Sequence, residues 1–198
     1  MTARVVVLAS GSGSVLQALL DSDIRQNIVA VGSDRPDCFA LERARGAQVE
    51  TFAVDFNAFD ARPSWSAVLL EELNRWEPTL IVLAGFMRIL DPTIVREYRN
   101  RIVNTHPALL PSFPGAHAVS DALAAGVRIT GCTVHWVDEG VDTGPIIEQA
   151  AVRVQPTDDV NSLHERIKVI ERDLLVSVVS SLVAARSESS VNGRFDGG

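Results

Sequence analysis

The sequence predicts an α/β protein with a doubly wound, mostly parallel sheet, antiparallel strands toward the C-terminus and a long C-terminal helix. Three observations support this fold class. Short apolar runs rich in β-branched residues alternate with longer amphipathic stretches through the first half of the chain. Two further strand-like segments follow, joined by a glycine-containing connection. The last apolar pattern has the spacing of a helix.

The first half of the chain contains alternating strand and helix signals. Strands are predicted at 5–9, 28–31, 49–54, 80–84 and 102–105. Helices are predicted at 14–20, 37–45, 64–76 and 92–98. Each helix begins near a capping or helix-starting residue and is long enough to cross from one parallel strand to the next. The order therefore predicts parallel pairing.

The second half breaks this alternation. A helix is predicted at 119–125, and strands at 129–137 and 146–154 could pair in antiparallel fashion. The segment 158–185 predicts a long helix packed on the sheet, because its apolar residues recur at helical spacing, at Val160, Leu163, Ile167, Ile170, Leu174 and Val178. We expect a single domain over residues 1–186 and a polar, disordered tail over 187–198.

Composition narrows the classes of function. A chain of 198 residues with 46% hydrophobic residues can build one substantial core. Its net charge of −7 argues against a large nucleic-acid footprint. Lys168 is the only lysine, so an anionic ligand would be held by arginines or by backbone N–H groups.

The cysteines and the N-terminal segment indicate the compartment. Cys38 and Cys132 fit no metal or redox spacing, which predicts reduced thiols in the cytoplasm. The first apolar run is too short for a signal peptide or membrane span.

A glycine loop, Ser10-Gly11-Ser12-Gly13-Ser14, follows the first predicted strand and opens the first predicted helix. Glycines at this point would let backbone N–H groups approach an anion at the positive end of a helix. The loop lacks the lysine of a Walker A loop, and Leu16 stands where a dinucleotide fingerprint has its third glycine. It predicts either a small phosphate site or a tight turn with serine caps.

Asn104 and His106 stand at the end of the fifth predicted strand. The strand period of two puts both on one face, so they can converge on one ligand. Prolines at 107, 111 and 114 favour a stiff, irregular loop, and α/β enzymes place their chemistry at this end of a strand. A satisfied structural pair of polar residues is the alternative interpretation.

A second polar group follows the strand near residue 131. The segment from Gly131 to Pro145 ends in a loop that carries Asp138, Glu139 and Asp142, one of which could face His106. Two of the three are expected to be solvated turn residues. No metal site is expected, because the chain has neither a cysteine–histidine cluster nor a His-Glu-x-x-His motif.

These motifs together resemble the glycinamide ribonucleotide formyltransferases, a family of folate-dependent enzymes. The resemblance rests on the Ser-Gly-x-Gly-Ser loop, the run 84–90 (Ala-Gly-Phe-Met-Arg-Ile-Leu), Asn104-x-His106-Pro107 and Asp142-x-Gly144-Pro145, and it extends from Val5 to about Leu175. It implies a Rossmann-like formyltransferase fold. It also implies transfer of a formyl group from 10-formyltetrahydrofolate to the amine of a phosphoribosyl glycinamide in purine (IMP) biosynthesis, without a metal.

The resemblance also implies roles for individual residues. The catalytic residues would be Asn104, His106 and Asp142. The substrate would be bound by Gly11, Ser12, Gly13, Ser14, Val15, Pro107 and Glu171. The folate would be bound by Arg62, Met87, Arg88, Ile89, Leu90, Asn104, Val137, Asp138, Glu139, Gly140, Val141 and Asp142, with Arg62 at its glutamate tail.

Further details follow from the same resemblance. His117 would line the site, whereas His135 and His164 are expected to be structural. The Leu110–Pro111 peptide bond is expected to be cis. Val15 departs from the family, in which asparagine is common, so phosphate contacts would rest on backbone groups and Ser14. The expected partners are small-molecule substrates, with neither nucleic acid nor membrane, and a homodimer is compatible with the sequence.

Other acceptors for the same formyl chemistry are water, an aminoacyl-tRNA and an amino sugar. A hydrolase would be expected to carry an N-terminal regulatory domain, and a tRNA-specific enzyme a basic C-terminal domain; the glycine loop favours a small phosphorylated acceptor. A non-catalytic nucleotide or folate binder is the alternative from another class. The Asn104, His106 and Asp142 set argues against it, because a binder needs no proton-transfer residues.

Overall fold

The computed structural model describes residues 3–192 and contains seven strands and six α-helices in that range. The strands are β1 (Val5–Leu8), β2 (Ile28–Ser33), β3 (Thr51–Ala53), β4 (Leu80–Leu83), β5 (Ile102–His106), β6 (Ile129–Trp136) and β7 (Ile146–Arg153). The helices are α1 (Ser14–Leu20), α2 (Phe39–Gly46), α3 (Arg62–Trp76), α4 (Pro92–Glu97), α5 (Ala118–Ala124) and α6 (Val160–Asn192).

The chain forms two compact units. One extends to Met87 and takes up the chain again from Val176, and the other runs from Arg88 to Leu175. A single domain ending at residue 186 is expected from the sequence, and that boundary stays a prediction. Helix α6 continues to Asn192, beyond the expected start of a disordered tail, and residues 193–198 of that tail lie outside the described residues.

The first unit contains four parallel strands, with β1 paired to both β2 and β4, and β2 paired to β3. All four residues of β1 are completely buried, as expected for a central strand covered on both faces. Helices α1, α2 and α3 form the crossovers. Trp65, the largest fully buried side chain, donates from its indole nitrogen to the Val54 carbonyl oxygen at 2.8 Å, which anchors α3 beside β3.

The second unit contains an antiparallel meander, in which β6 pairs with both β5 and β7. Its core joins α5, the first part of α6 and one face of this meander, at Val119, Cys132, Val152, Leu163 and Ile167. Ile170 and Leu174 pack against the same cluster, as the helical spacing predicts, whereas Val160 is exposed. Burial raises the pKa of the Cys132 thiol to about 12, so the thiol stays protonated.

The strand order of the sheet is β3-β2-β1-β4-β5-β6-β7. This order confirms the predicted fold class: parallel strands come first, antiparallel strands follow, and a long helix ends the described chain. Two 3₁₀ helices, Asp23–Asn27 and Phe56–Ala58, were not predicted. Among the described residues, no helix has both the length and the apolar content needed to cross a membrane.

Candidate active site

The end of β5 holds the first two candidate catalytic residues. Asn104 lies opposite His135 of β6, and His106 lies opposite Thr133. The Asn104 Nδ2 atom is 3.2 Å from Nε2 of His135. His106 is buried, and its Nδ1 atom is 3.2 Å from a carboxylate oxygen of Asp142. The alternation of a strand therefore sends both side chains into one polar network with Asp142, as the sequence analysis expects.

Asp142 occupies the centre of this network. Its Oδ2 atom accepts from the backbone N–H of Gly115 at 2.8 Å and faces His106, while its Oδ1 atom is 3.6 Å from Nε2 of His135. Its backbone has φ 55°, a left-handed conformation that aspartate tolerates better than most residues.

The surroundings of Asp142 keep its carboxylate charged. The pKa of Asp142 is lowered, first by the His135 ring, then by the Gly115 N–H and by the charge of His106, while burial acts in the opposite direction. Asp142 is therefore ionised at neutral pH. Of the three carboxylates in its loop, it is the one that faces His106, as the sequence analysis anticipates for one of the three.

His106 is held from both sides of its ring. Its Nε2 atom is 2.7 Å from the Phe113 carbonyl oxygen, and its Nδ1 atom faces Asp142. Both neighbours are hydrogen-bond acceptors, so the ring satisfies both of them only when each nitrogen carries a proton. Phe113 has φ 56°, a left-handed conformation, and the Leu110–Pro111 bond before it is cis, as the resemblance implies.

His135 belongs to the same network, although the sequence analysis treats it as structural. Its Nδ1 atom is 3.0 Å from the Trp136 carbonyl oxygen. Its Nε2 atom lies 3.2 Å from Asn104 Nδ2 and 3.6 Å from Asp142 Oδ1, so one N–H of the Asn104 amide is directed at the ring and the second is left for another acceptor. The signal that could have found His135 is its antiparallel pairing with Asn104. We call Asn104, His106, His135 and Asp142 the polar network.

The loop that carries Asp142 closes on itself at its base. Trp136 donates its backbone N–H to the Pro145 carbonyl oxygen at 2.9 Å. A Cβ atom at Gly144 would lie 1.8 Å from the Trp136 carbonyl oxygen, so only glycine fits there. Within the loop, Asp138 Oδ1 accepts from the Gly140 N–H at 3.0 Å and from the Thr143 hydroxyl at 2.7 Å. This loop is therefore braced by its own backbone and side chains.

An ion pair links the tip of this loop to α4. The Arg96 guanidinium donates to both carboxylate oxygens of Glu139, each at 2.9 Å, and both side chains are exposed. The pairing raises the pKa of Arg96 and lowers the pKa of Glu139. Helix α4 follows directly after Arg88–Leu90, another predicted folate segment. Ile89 and Val141, one in each of the two segments, are 55% and 46% exposed.

The glycine loop lies in the first unit and is fixed by backbone contacts. Gly13 has φ 69°, and a Cβ atom there would lie 2.8 Å from Cα of Ala40. Ala40 also donates its N–H to the Gly11 carbonyl oxygen at 3.0 Å. Ser10 accepts from the Met87 N–H at 2.8 Å. Gly11 and Ser12 are exposed, while the Val15 side chain is buried, so Val15 can offer only its backbone to a ligand.

The other predicted contacts have different surroundings. Glu171 of α6 is 7% exposed, and the Thr105 hydroxyl donates to its carboxylate. Its pKa is raised mainly by burial, while the Thr105 bond and nearby cations act in the opposite direction.

The remaining predicted site residues are half-buried or exposed. Pro107 is half-buried, and Arg62 is exposed at the first residue of α3. Met87 is 74% exposed. His117 is exposed at the start of α5, and His164 is half-buried in α6. Their roles remain predictions.

No group of three or more histidine, cysteine, aspartate or glutamate side chains within the described part of the chain is arranged to hold a metal ion. Asn104, His106 and Asp142 lie close together in the polar network. They combine a half-buried amide donor, a buried imidazole and a half-buried, charged carboxylate. This combination can stabilise a developing oxyanion and move protons near neutral pH.

Comparison with known proteins points to one family. The model of the family described as "Formyl transferase" matches residues 3–179. A phosphoribosylglycinamide formyltransferase of Mycobacterium tuberculosis is 52% identical over 183 residues, covering 91% of this chain and 85% of the relative. An Escherichia coli protein of the same name is 38% identical and covers 97% and 92%. The crystal structure of glycinamide ribonucleotide transformylase 1 from Symbiobacterium toebii aligns with a TM-score of 0.89 and 42% identity, covering 93% and 89%.

Proposed function

The chain belongs to the formyl transferase family, and from that premise we propose that it transfers a formyl group from 10-formyltetrahydrofolate to the glycinamide amine of a phosphoribosyl glycinamide in purine biosynthesis. The observation that carries the proposal is the approach of His106 to Asp142 at 3.2 Å beside the Asn104 amide. The names and coverage of the relatives support the same activity.

Asn104 acts on the developing charge. Attack of a primary amine on a formyl carbon places negative charge on the formyl oxygen. One N–H of the Asn104 amide is directed at His135, and the other donates to this oxygen. A preorganised donor of this kind contributes about 10²–10³ in rate. His135 fixes the orientation of the amide.

His106 and Asp142 are assigned to the proton transfers and to the balance of charge at the reacting groups. The attacking ammonium must lose a proton and the departing folate nitrogen must gain one, which suits an imidazole paired with a carboxylate. The ionised Asp142 carboxylate places a negative charge 3.2 Å from Nδ1 of His106. For His106 to pass a proton, its ring must release either Asp142 or the Phe113 carbonyl.

The folate co-substrate supplies the formyl group when it is bound. Three of the predicted folate residues, Met87, Ile89 and Val141, expose apolar side chains, which can pack against the ring faces of the co-substrate. The proposed folate site also includes Arg88, Leu90 and the loop from Val137 to Asp142. Arg62 is assigned to the glutamate tail of the folate. Such exposed apolar side chains are typical of ligand-binding surfaces.

The acceptor is assigned to a separate set of groups. The glycine loop, from Gly11 to Val15, takes the phosphate through backbone N–H groups and the Ser14 hydroxyl. Pro107 and Glu171 contact the ribosyl glycinamide part, where a buried carboxylate can accept from hydroxyl or amine groups. Action on small molecules in the cytoplasm belongs to the same proposal, and a homodimer is compatible with it.

Absorbance-monitored release of tetrahydrofolate tests the activity. The protein is mixed with 10-formyltetrahydrofolate, with and without the phosphoribosyl glycinamide acceptor. Release that requires the acceptor is the expected result. Release without acceptor would indicate a hydrolase instead. Absence of release from folded protein under both conditions would favour another acceptor or a non-catalytic binder.

A further inference from the structure

A second polar cluster holds the chain segment that follows His106. The Thr133 hydroxyl donates to the Ala108 carbonyl oxygen at 2.7 Å and accepts from the Leu110 N–H at 3.0 Å. Gln149, on the neighbouring strand β7, donates from Nε2 to Thr133 Oγ1 and to the Leu110 carbonyl oxygen, each at 2.9 Å. Strands β6 and β7 thus hold the backbone of residues 108–110 through two side chains.

The Thr133 hydroxyl and the Gln149 amide nitrogen use all of their hydrogen-bonding capacity. A threonine hydroxyl has one proton and two lone pairs, and Thr133 uses all three. Gln149 uses both N–H bonds of its amide. Thr133 is fully buried, so a shift of the Ala108–Leu110 backbone would leave polar groups unpaired away from water. The position of this backbone is therefore strongly determined.

The segment 108–110, which Thr133 and Gln149 hold in place, leads directly into the residues whose backbone orients the polar network. His106 accepts at its carbonyl oxygen from the Ala108 N–H at 2.9 Å. A few residues later, the Phe113 carbonyl faces the His106 ring and the Gly115 N–H donates to Asp142. A displacement of residues 108–110 would thus be transmitted to both partners of the His106–Asp142 pair.

We infer that Thr133 and Gln149 are positioning residues that set the geometry of the His106–Asp142 pair through the backbone of residues 108–115. The inference rests on the proposed formyl transfer. Neither residue is assigned a contact with the substrate, the folate or the reacting atoms. Their loss should therefore lower kcat much more than it changes the KM of either substrate. A misplacement of about 1 Å can cost roughly 10²-fold in rate.

The chain offers a matched control on the same strand. Thr130 of β6 is also buried, but its hydroxyl has no hydrogen-bond partner among the described residues. Thr130→Val and Thr133→Val are the same isosteric change. Thr130→Val removes an unsatisfied hydroxyl, so it should raise the thermal midpoint and keep kcat within about twofold. Thr133→Val should lower the thermal midpoint and reduce kcat by about tenfold or more.

Thr133→Ser and Gln149→Leu complete the experiment. Serine retains the hydroxyl, so Thr133→Ser should recover most of the kcat that Thr133→Val loses. Gln149→Leu removes the second side chain from the cluster and provides the test if Thr133→Val does not fold. Steady-state kinetics, with each substrate varied in turn while the other is saturating, give kcat and both KM values, and near-ultraviolet circular dichroism of every variant checks its folding.

The outcomes separate this inference from the proposed function. If wild type and Thr130→Val turn over and the folded Thr133→Val and Gln149→Leu variants match them in kcat, the inference is wrong and the proposed function stands. A loss confined to KM would also overturn the inference. If the wild type shows no acceptor-dependent release of tetrahydrofolate, the proposed function fails first, and this inference fails with it.

Discussion

The glycine loop and the polar network are built on opposite principles. In the glycine loop, the space available to the backbone decides the structure, since Gly13 has φ 69° and lies against Ala40. In the polar network, side-chain donors and acceptors decide it, since Asp142 gathers His106, His135 and the Gly115 N–H around one carboxylate. Added volume should damage the first region, and loss of a polar group should damage the second.

Among the changes that test this comparison, replacement of His106 should produce the largest effect, a loss of kcat. His106→Ala removes the imidazole that faces Asp142, so we expect kcat to fall by about 10²–10⁴. Binding of the phosphoribosyl glycinamide, measured by calorimetry, should stay largely intact. His164→Ala, which removes a half-buried histidine of α6, is the control and should retain activity. A loss of less than about tenfold in the His106 variant would contradict the catalytic assignment.

Added volume in the glycine loop is the second test. Gly13→Ala places a side chain on a left-handed backbone and against Ala40, so we expect a loss of about 1–3 kcal/mol in the free energy of unfolding. Gly11→Ala, where no atom lies within 4 Å of the added Cβ, should change it by less than about 0.5 kcal/mol. Urea unfolding compares the two variants. Equal losses would show that backbone space does not control this loop.

The charge of Asp142 gives a pH-dependent test of the polar network. Asn keeps the left-handed backbone but removes the charge, so Asp142→Asn isolates the carboxylate. Because the folded pKa is lowered, the charge contributes stability above the unfolded value of about 3.9, and this contribution is lost as the pH falls through the folded pKa.

The stability difference between wild type and Asp142→Asn should accordingly shrink as the pH falls below about 4. Denaturant titrations at several pH values measure this difference. A difference that grew on acidification would show that the pKa of Asp142 is raised rather than lowered in the folded protein.

The Arg96–Glu139 pair should produce the smallest effect, because both side chains are exposed. Arg96→Ala should raise the KM for 10-formyltetrahydrofolate by about twofold or less at low salt, and the effect should disappear at high salt. Arg75→Ala, which removes an exposed arginine of α3 that pairs with Glu72, is the control. A salt-independent loss of kcat in Arg96→Ala would assign this pair a larger role than its exposure predicts.

Most of the fold could be predicted because its elements carry strong local signals. Strands β1 and β4 are short, wholly apolar runs, and both are buried throughout. Helix α6 has an apolar stripe whose members Leu163 and Ile167 reach the core of the second unit. The two short 3₁₀ helices have no comparable periodic signal, since each spans five residues or fewer.

The polar network could be predicted only in part. Asn104 and His106 share one strand, so alternation alone places them on one face. His135 was missed because its contact with Asn104 depends on the register between β5 and β6, which neither strand encodes alone. The Phe113 contact is a backbone carbonyl in a left-handed turn, so no side-chain pattern reveals it.

The self-closing base of the loop between Trp136 and Pro145 has a consequence for protein engineering. Its two ends are pinned to each other by a backbone hydrogen bond and by the contact that only Gly144 permits. The residues at its tip, 139–141, are all exposed. Positions 139 and 141 can therefore be varied in libraries screened for altered folate analogues, while the pinned ends keep Asp142 in register with His106. Gly140 has to be kept, because a Cβ atom there would lie 2.0 Å from Oγ1 of Thr143.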